Sequence, residues 1–131
     1  RIKNYVPFLW TVLPDVKGKF ADGHQLKKKE GEMLLAKLSA DDYLVLLDEQ
    51  GQEFSSVGLA QWLERRLASP GRRLVFVVGG DFGFSPEVYA RANERLALSK
   101  LTFSHQMVRL FFLEQLYRAM TILRNEPYHN E

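Results

Sequence analysis

The chain has 131 residues, 46% of them hydrophobic and 26% charged, with a formal charge of +2. This suits one globular domain with a single core and argues against a disordered segment. No cysteine occurs, so disulfides, cysteine-ligated zinc and thiol catalysis are excluded, and a reducing, cytoplasmic setting is expected. No apolar run is long enough to span a bilayer and no signal-peptide pattern is seen, so no membrane partner is expected.

Taken in order, Arg1-Ile2-Lys3-Asn4-Tyr5 reads as the tail of a helix whose beginning is missing. The expectation is one domain over residues 1–131 that lacks native N-terminal residues. Phe8 to Leu13 is aromatic and branched, ends at Pro14 and reads as a strand. His24 to Leu38 carries Leu26, Met33, Leu34 and Leu38 at roughly helical spacing. Tyr43 to Leu47 is a continuous apolar run of strand length, and Asp48-Glu49-Gln50-Gly51 supplies turn residues after it. Ser55 or Ser56 then caps a helix whose apolar face is Leu59, Trp62, Leu63 and Leu67, stopped by Pro70-Gly71. Leu74 to Val78 is wholly apolar, as in a parallel strand covered on both faces. Ser85-Pro86-Glu87 opens the next helix with a cap, a first-turn proline and an acid at the positive dipole end. That helix is expected to reach about Leu96. Leu98 to Phe103 reads as a short strand or bent loop, and His105 to Arg124 as the longest helix.

The alternation of strand and helix predicts an α/β fold with a mainly parallel sheet flanked by helices. Ligands of such sheets sit at the carboxyl ends of the strands. That points to three segments: the one after Leu47, the one after Val78, and Leu98 to Phe103.

Gly79-Gly80-Asp81-Phe82-Gly83 permits close approach of a ligand to the backbone. It matches neither G-x-G-x-x-G nor a phosphate-binding P-loop, so dinucleotide and NTP sites are disfavoured. The last helix is apolar on more than one side. Val108, Phe111, Phe112, Leu116, Met120 and Leu123 form one region, which Leu110, Leu113, Tyr117 and Ile122 extend. The excess predicts a second buried contact, such as another protomer. His24, His105 and His129 have no metal-ligand spacing, and neither an HExxH nor a G-x-S-x-G motif occurs, so no metal is expected. Basic residues cluster at Lys27-Lys28-Lys29, at Arg65, Arg66, Arg72 and Arg73, and at Arg109, Arg118 and Arg124. Each cluster reads first as a solvated face.

Four segments resemble the SPOUT-class large-subunit rRNA methyltransferase H family, the pseudouridine N3-methyltransferases. They are Leu46-Leu47-Asp48 with Gly51; Phe76-Val77-Val78-Gly79-Gly80 with Gly83 and Ser85-Pro86; Leu98-Ser99-Lys100-Leu101-Thr102-Phe103 with His105, Val108 and Arg109; and Glu114-Gln115-Leu116-Tyr117-Arg118-Ala119, continuing to Pro127-Tyr128-His129. The resemblance implies an α/β trefoil knot, a homodimer, and an initial strand and helix ahead of Arg1. It implies S-adenosyl-L-methionine as cofactor, lined by Leu47, Gly79, Gly80, Leu98, Ser99, Lys100, Leu101, Thr102 and Phe103. It implies a pseudouridine of the large-subunit rRNA in assembled ribosomes as substrate. Methyl transfer to a ring nitrogen needs close positioning and loss of the acceptor proton. His129 or Glu114 is the candidate base, and Arg109 and Arg118 are candidates to neutralise phosphate or a ring anion. Asp81-Phe82, Ser104 and Asn130 depart from the family pattern, which usually has proline at the second of these sites and a basic residue at the last. The rival reading is a non-enzymatic dimeric α/β module that binds RNA or protein.

Overall fold

The computed structural model describes residues 23–68, 72–79, 83–99, 101 and 103–129. The strand expected at Phe8 to Leu13 lies outside them. The elements run α1 (Gly23–Ala36), β1 (Tyr43–Glu53), α2 (Ser56–Leu67), β2 (Leu74–Val78), α3 (Pro86–Arg91), β3 (Glu94–Ala97) and α4 (His105–Leu123). The three strands form one parallel sheet in the order β2-β1-β3.

β1 is central because its apolar run can be buried on both faces. Leu44, Val45 and Leu46 are fully buried. Side chains alternate across a strand. Leu44 and Leu46 therefore join Leu34, Phe84 and Val88 on one face, while Val45 and Leu47 join Leu59, Trp62, Phe112 and Leu116 on the other. β2 divides in the same way, with Val75 and Val77 on the first face and Leu74, Phe76 and Val78 on the second.

Two expected boundaries are corrected. The Asp48–Gly51 turn does not end the strand. Asp48 does make the local bond of a turn, accepting from the Gln50 amide at 2.9 Å. The ladder nevertheless resumes, with Leu47 and Gln52 both opposite Leu96. Gly51 makes this possible, since a Cβ there would lie 2.6 Å from the Arg95 carbonyl carbon. The helix from Ser85 also stops at Arg91 rather than near Leu96. Residues 94–97 have good helical propensity, but Asn93 captures the chain for the sheet. Its side chain accepts from the Leu44 amide and its own amide donates to the Leu44 carbonyl, each at 2.8 Å. The strand therefore lies just upstream of Leu98 to Phe103, and of the two forms expected for that segment its described residues take the bent one.

The helix starts follow the sequence. Ser55 accepts from the Gly58 amide, Ser85 from Val88 and Ser104 from Met107, each satisfying an orphan first-turn donor. Ser104 thus caps α4. On α2, Leu59, Trp62 and Leu63 are buried as expected, but Leu67 is 42% exposed. Gly31 on α1 allows close contact with α3, because a Cβ there would meet the Ser85 hydroxyl at 2.5 Å.

A polar network closes the amino end of the sheet. Glu94 accepts from Trp62 Nε1 at 3.0 Å, from Arg66 Nη2 at 2.6 Å and from the Tyr43 hydroxyl. Burial pushes the Glu94 carboxyl up, yet the hydrogen bonds from Tyr43, Trp62 and Arg66 outweigh it and hold it below its ordinary value. Buried Asp42 accepts from Arg73 at 2.6 and 3.0 Å, and this bond lowers its pKa to about 2.

Candidate functional site

The carboxyl ends of parallel strands share one edge, and a cavity of about 240 Å³ opens there. Leu96 and Ala97 of β3 form its floor and lead into Leu98 and Ser99. Phe54 and Ser55, which follow β1, form one side with Leu59 of α2. Phe103, Phe111, Glu114 and Gln115 form the other. The walls are mostly apolar and aromatic, with a few polar groups at fixed points, the usual make-up of a small-molecule site.

The segment from Leu98 is a bend and not a strand. The Leu101 amide donates to Ser99 Oγ at 3.0 Å, which turns the chain. Leu101 is consequently 69% exposed and does not line the cavity. Phe103 returns to it and meets Phe111 edge to face, with centroids 5.3 Å apart. Of the residues expected to hold a cofactor, Leu98, Ser99 and Phe103 line this cavity. Leu47 is mid-strand in the core. Gly79 faces the Phe84 ring, which a Cβ would approach to 3.0 Å. Gly80, Lys100 and Thr102 lie outside the described residues. Phe84 is held in turn by Tyr89, whose hydroxyl donates to Asp48 at 2.7 Å. Burial and then the Asp48 bond push the Tyr89 phenol above its ordinary value.

A hydrogen-bonded chain runs from the cavity along α4. Ser56 Oγ donates to Gln115 Oε1 at 3.2 Å, and Gln115 Nε2 donates to Glu114 Oε2 at 2.8 Å. Glu114 Oε1 accepts from Arg118 Nη2 at 2.5 Å and Nε at 3.1 Å. The Glu114 bond pushes the Arg118 guanidinium above its already high value. Arg118 Nη1 lies 3.0 Å from His129 Nδ1. Tyr128 packs edge to face on Tyr117, with centroids 4.9 Å apart, and its hydroxyl reaches Glu114 at 3.3 Å.

The tail returns to α4 because of how the helix ends. Asn125 has φ 55, a left-handed conformation that asparagine tolerates. The Asn125 amide donates to the Ile122 carbonyl and the Glu126 amide to the Thr121 carbonyl. These are the paired bonds of a Schellman cap, and proline follows as is common there. The expected catalytic group is therefore partly assembled: Glu114, Arg118 and His129 meet. Arg109 does not join them. It lies five residues before Glu114, about 140° around the helix.

Sequence reasoning missed Phe54, Gln115 and Phe111 as cavity residues. Phe54 was hidden because β1 seemed to end at Leu47, and Phe111 because it resembled core. Gln115 lay inside a recognised motif but carried no role. Among the described residues, no cluster of three or more His, Asp or Glu side chains could hold a metal ion. No helix among them is long and apolar enough to cross a membrane.

Residues 1–129 match the family model described as a predicted SPOUT methyltransferase. Proteins named ribosomal RNA large subunit methyltransferase H are similar along the chain. That of Parabacteroides distasonis is 55% identical over 132 residues, covering 100% of this chain and 84% of the relative. That of Flavobacterium johnsoniae is 53% identical over 132 residues, again 100% and 84%. That of Christiangramia forsetii is 52% identical over 131 residues, 99% and 83%. Among solved structures, Archaeoglobus fulgidus Nep1 bound to S-adenosylhomocysteine is similar over 63% of this chain and 38% of that one, at 16% identity and a TM-score of 0.42, a likeness too low to bear on the site. By a family match that takes in both the cavity segment and the returning tail, the chain belongs to the SPOUT methyltransferase family.

Proposed function

We propose that the protein methylates N3 of a pseudouridine in large-subunit rRNA of assembled ribosomes, in the cytoplasm, with S-adenosyl-L-methionine as donor. The observation that supports this reading is similarity along the whole of this chain, and over 83–84% of each relative, to proteins named ribosomal RNA large subunit methyltransferase H. The cavity supports it. Aromatic walls suit a flat adenine ring, and aromatic faces suit a positive charge. The sulfonium supplies an activated methyl group when bound. The ring nitrogen that receives the methyl group must give up its proton, for which Glu114 or His129 is the candidate base.

The chain's own work is positioning and exclusion of water. In this reading Leu98, Ser99 and Phe103 hold the cofactor, with Leu47, Gly79, Gly80, Lys100, Leu101 and Thr102 as the remaining residues of the proposed set. Glu114, Arg118, His129 and Arg109 serve the acceptor. The α/β trefoil knot belongs to the same reading. So does a homodimer, supported by Met107 and Leu110, which are 42% and 58% exposed on α4.

The test is transfer of labelled methyl groups from S-adenosyl-L-methionine to ribosomes that lack this methylation, with a full-length relative as control. Label at N3 of a pseudouridine is the expected result. Label elsewhere, or none beside an active control, would refute the proposal.

A further inference from the structure

A carboxylate offers about four lone-pair sites, and the partners of Glu114 divide them unevenly. Oε1 accepts from Arg118 Nη2 at 2.5 Å, from Arg118 Nε at 3.1 Å and from the Tyr128 hydroxyl at 3.3 Å. These donors fill it. Among the described residues, Oε2 accepts from Gln115 Nε2 alone, at 2.8 Å, so it keeps acceptor capacity for a ligand. The Glu114 side chain is 35% exposed and lines the cavity. His129, the other candidate base, is placed differently. Its Nδ1 faces Arg118 Nη1 at 3.0 Å, its Nε2 is buried, and it does not line the cavity.

Gln115 decides which way the open side of Oε2 faces. Adjacent side chains on a helix diverge by about 100° and do not ordinarily meet. Gln115 meets Glu114 because its other end is anchored. Ser56, the first residue of α2, donates from Oγ to Gln115 Oε1 at 3.2 Å. A carboxylate only accepts, so the amide turns its nitrogen to Glu114 and its oxygen to Ser56. Arg118 holds one carboxylate oxygen and Gln115 the other, which sets the plane of the group.

We propose that Glu114 Oε2 is the atom that receives the N–H of the acceptor base, and that Gln115, anchored by Ser56, is the positioning residue that aims it. The role toward the acceptor rests on the methyltransferase reading above, whereas the brace from Ser56 through Gln115 to Glu114 does not. An acceptor atom already in place needs no reorganisation when the substrate arrives, so its aim acts on turnover and not on cofactor binding.

The test has two arms. In protein labelled with ¹⁵N-glutamine, Ser56→Ala and Glu114→Ala should each shift the Gln115 side-chain resonances and speed exchange of its amide protons. Resonances unmoved by either substitution would overturn the brace. In methyl-transfer assays, Gln115→Met should lower kcat about tenfold and Glu114→Gln about a hundredfold, with KM for the cofactor within about twofold. Ser56→Ala should lower kcat about threefold in the parent but no further in Gln115→Met, because it acts through that amide. Ser56→Thr keeps the hydroxyl and should avoid most of that loss. The assignment fails if Gln115→Met raises KM for the cofactor and spares kcat, or if the Ser56 and Gln115 losses multiply. It fails equally if His129→Gln costs more kcat than Glu114→Gln. A parent protein that transfers no methyl group would sink the enzymatic reading and the role of Oε2 together, leaving the NMR arm to judge the brace.

Discussion

The two ends of the parallel sheet are built from different chemistry. At the amino end, Glu94 and Asp42 gather the donors that face them, from Tyr43, Trp62 and Arg66 in one case and from Arg73 in the other. At the carboxyl end, the strands run out into a cavity with aromatic walls and only a few polar groups. One end spends its charges on holding strands and helices together. The other leaves room for a ligand. Loss of a side chain should therefore cost stability at the first end and binding at the second.

The sharpest way to break this contrast is Glu94→Ala. It strands the Arg66 guanidinium, the Trp62 N–H and the Tyr43 hydroxyl, and should cost about 3 kcal/mol, read by urea denaturation. A loss below about 1 kcal/mol would show that the amino end is not a clasp. Ser99→Trp should do the reverse, filling the cavity and weakening cofactor binding by about thirtyfold, or about 2 kcal/mol, with stability changed by no more than about 0.5 kcal/mol. Equilibrium binding and thermal melts on the same sample decide this.

Acid should act on the amino end. Asp42 has a folded pKa of about 2 against an ordinary 3.8. A depressed folded value means that its contribution is complete above the unfolded pKa and disappears as pH falls through about 2. Arg73 is 58% exposed, so solvent screening reduces the contribution to about 1 kcal/mol. Asp42→Asn should flatten that part of the stability profile between about pH 4 and 2. A profile unchanged by the substitution would remove Asp42 from the account. The smallest effect is expected at the start of α4, where Ser104→Ala removes the helix cap at a cost of about 0.5 kcal/mol. A larger drop in melting temperature would mean that Ser104 carries more than the cap.

Much of the fold was readable because the cues were local. Ser85-Pro86-Glu87 begins α3 where its cap chemistry says it should, and Leu74 to Val78 is β2 to the residue. The same locality misled at Asp48–Gly51. Turn residues are present and one turn bond forms, but whether a strand continues depends on a neighbour, and β3 was not yet known to lie there. The candidate site was readable in part for a similar reason. Leu98, Ser99 and Phe103 were named from one contiguous segment. The facing residues Phe54, Phe111 and Gln115 come from other elements and carry no local mark of a cavity.

By itself, the sequence determined the helix starts and the two apolar runs, Tyr43 to Leu47 within β1 and Leu74 to Val78 as β2. Caps, alternation and chain stiffness act within a few residues. Only the tertiary structure decided that residues 94–97 become a strand, since the Asn93 bonds to β1 override their helical propensity. It also decided that the tail returns to α4, and that Arg118, rather than Arg109, meets His129. Residues nine apart on a helix face opposite ways, and the direction of the returning tail selects which of them it touches.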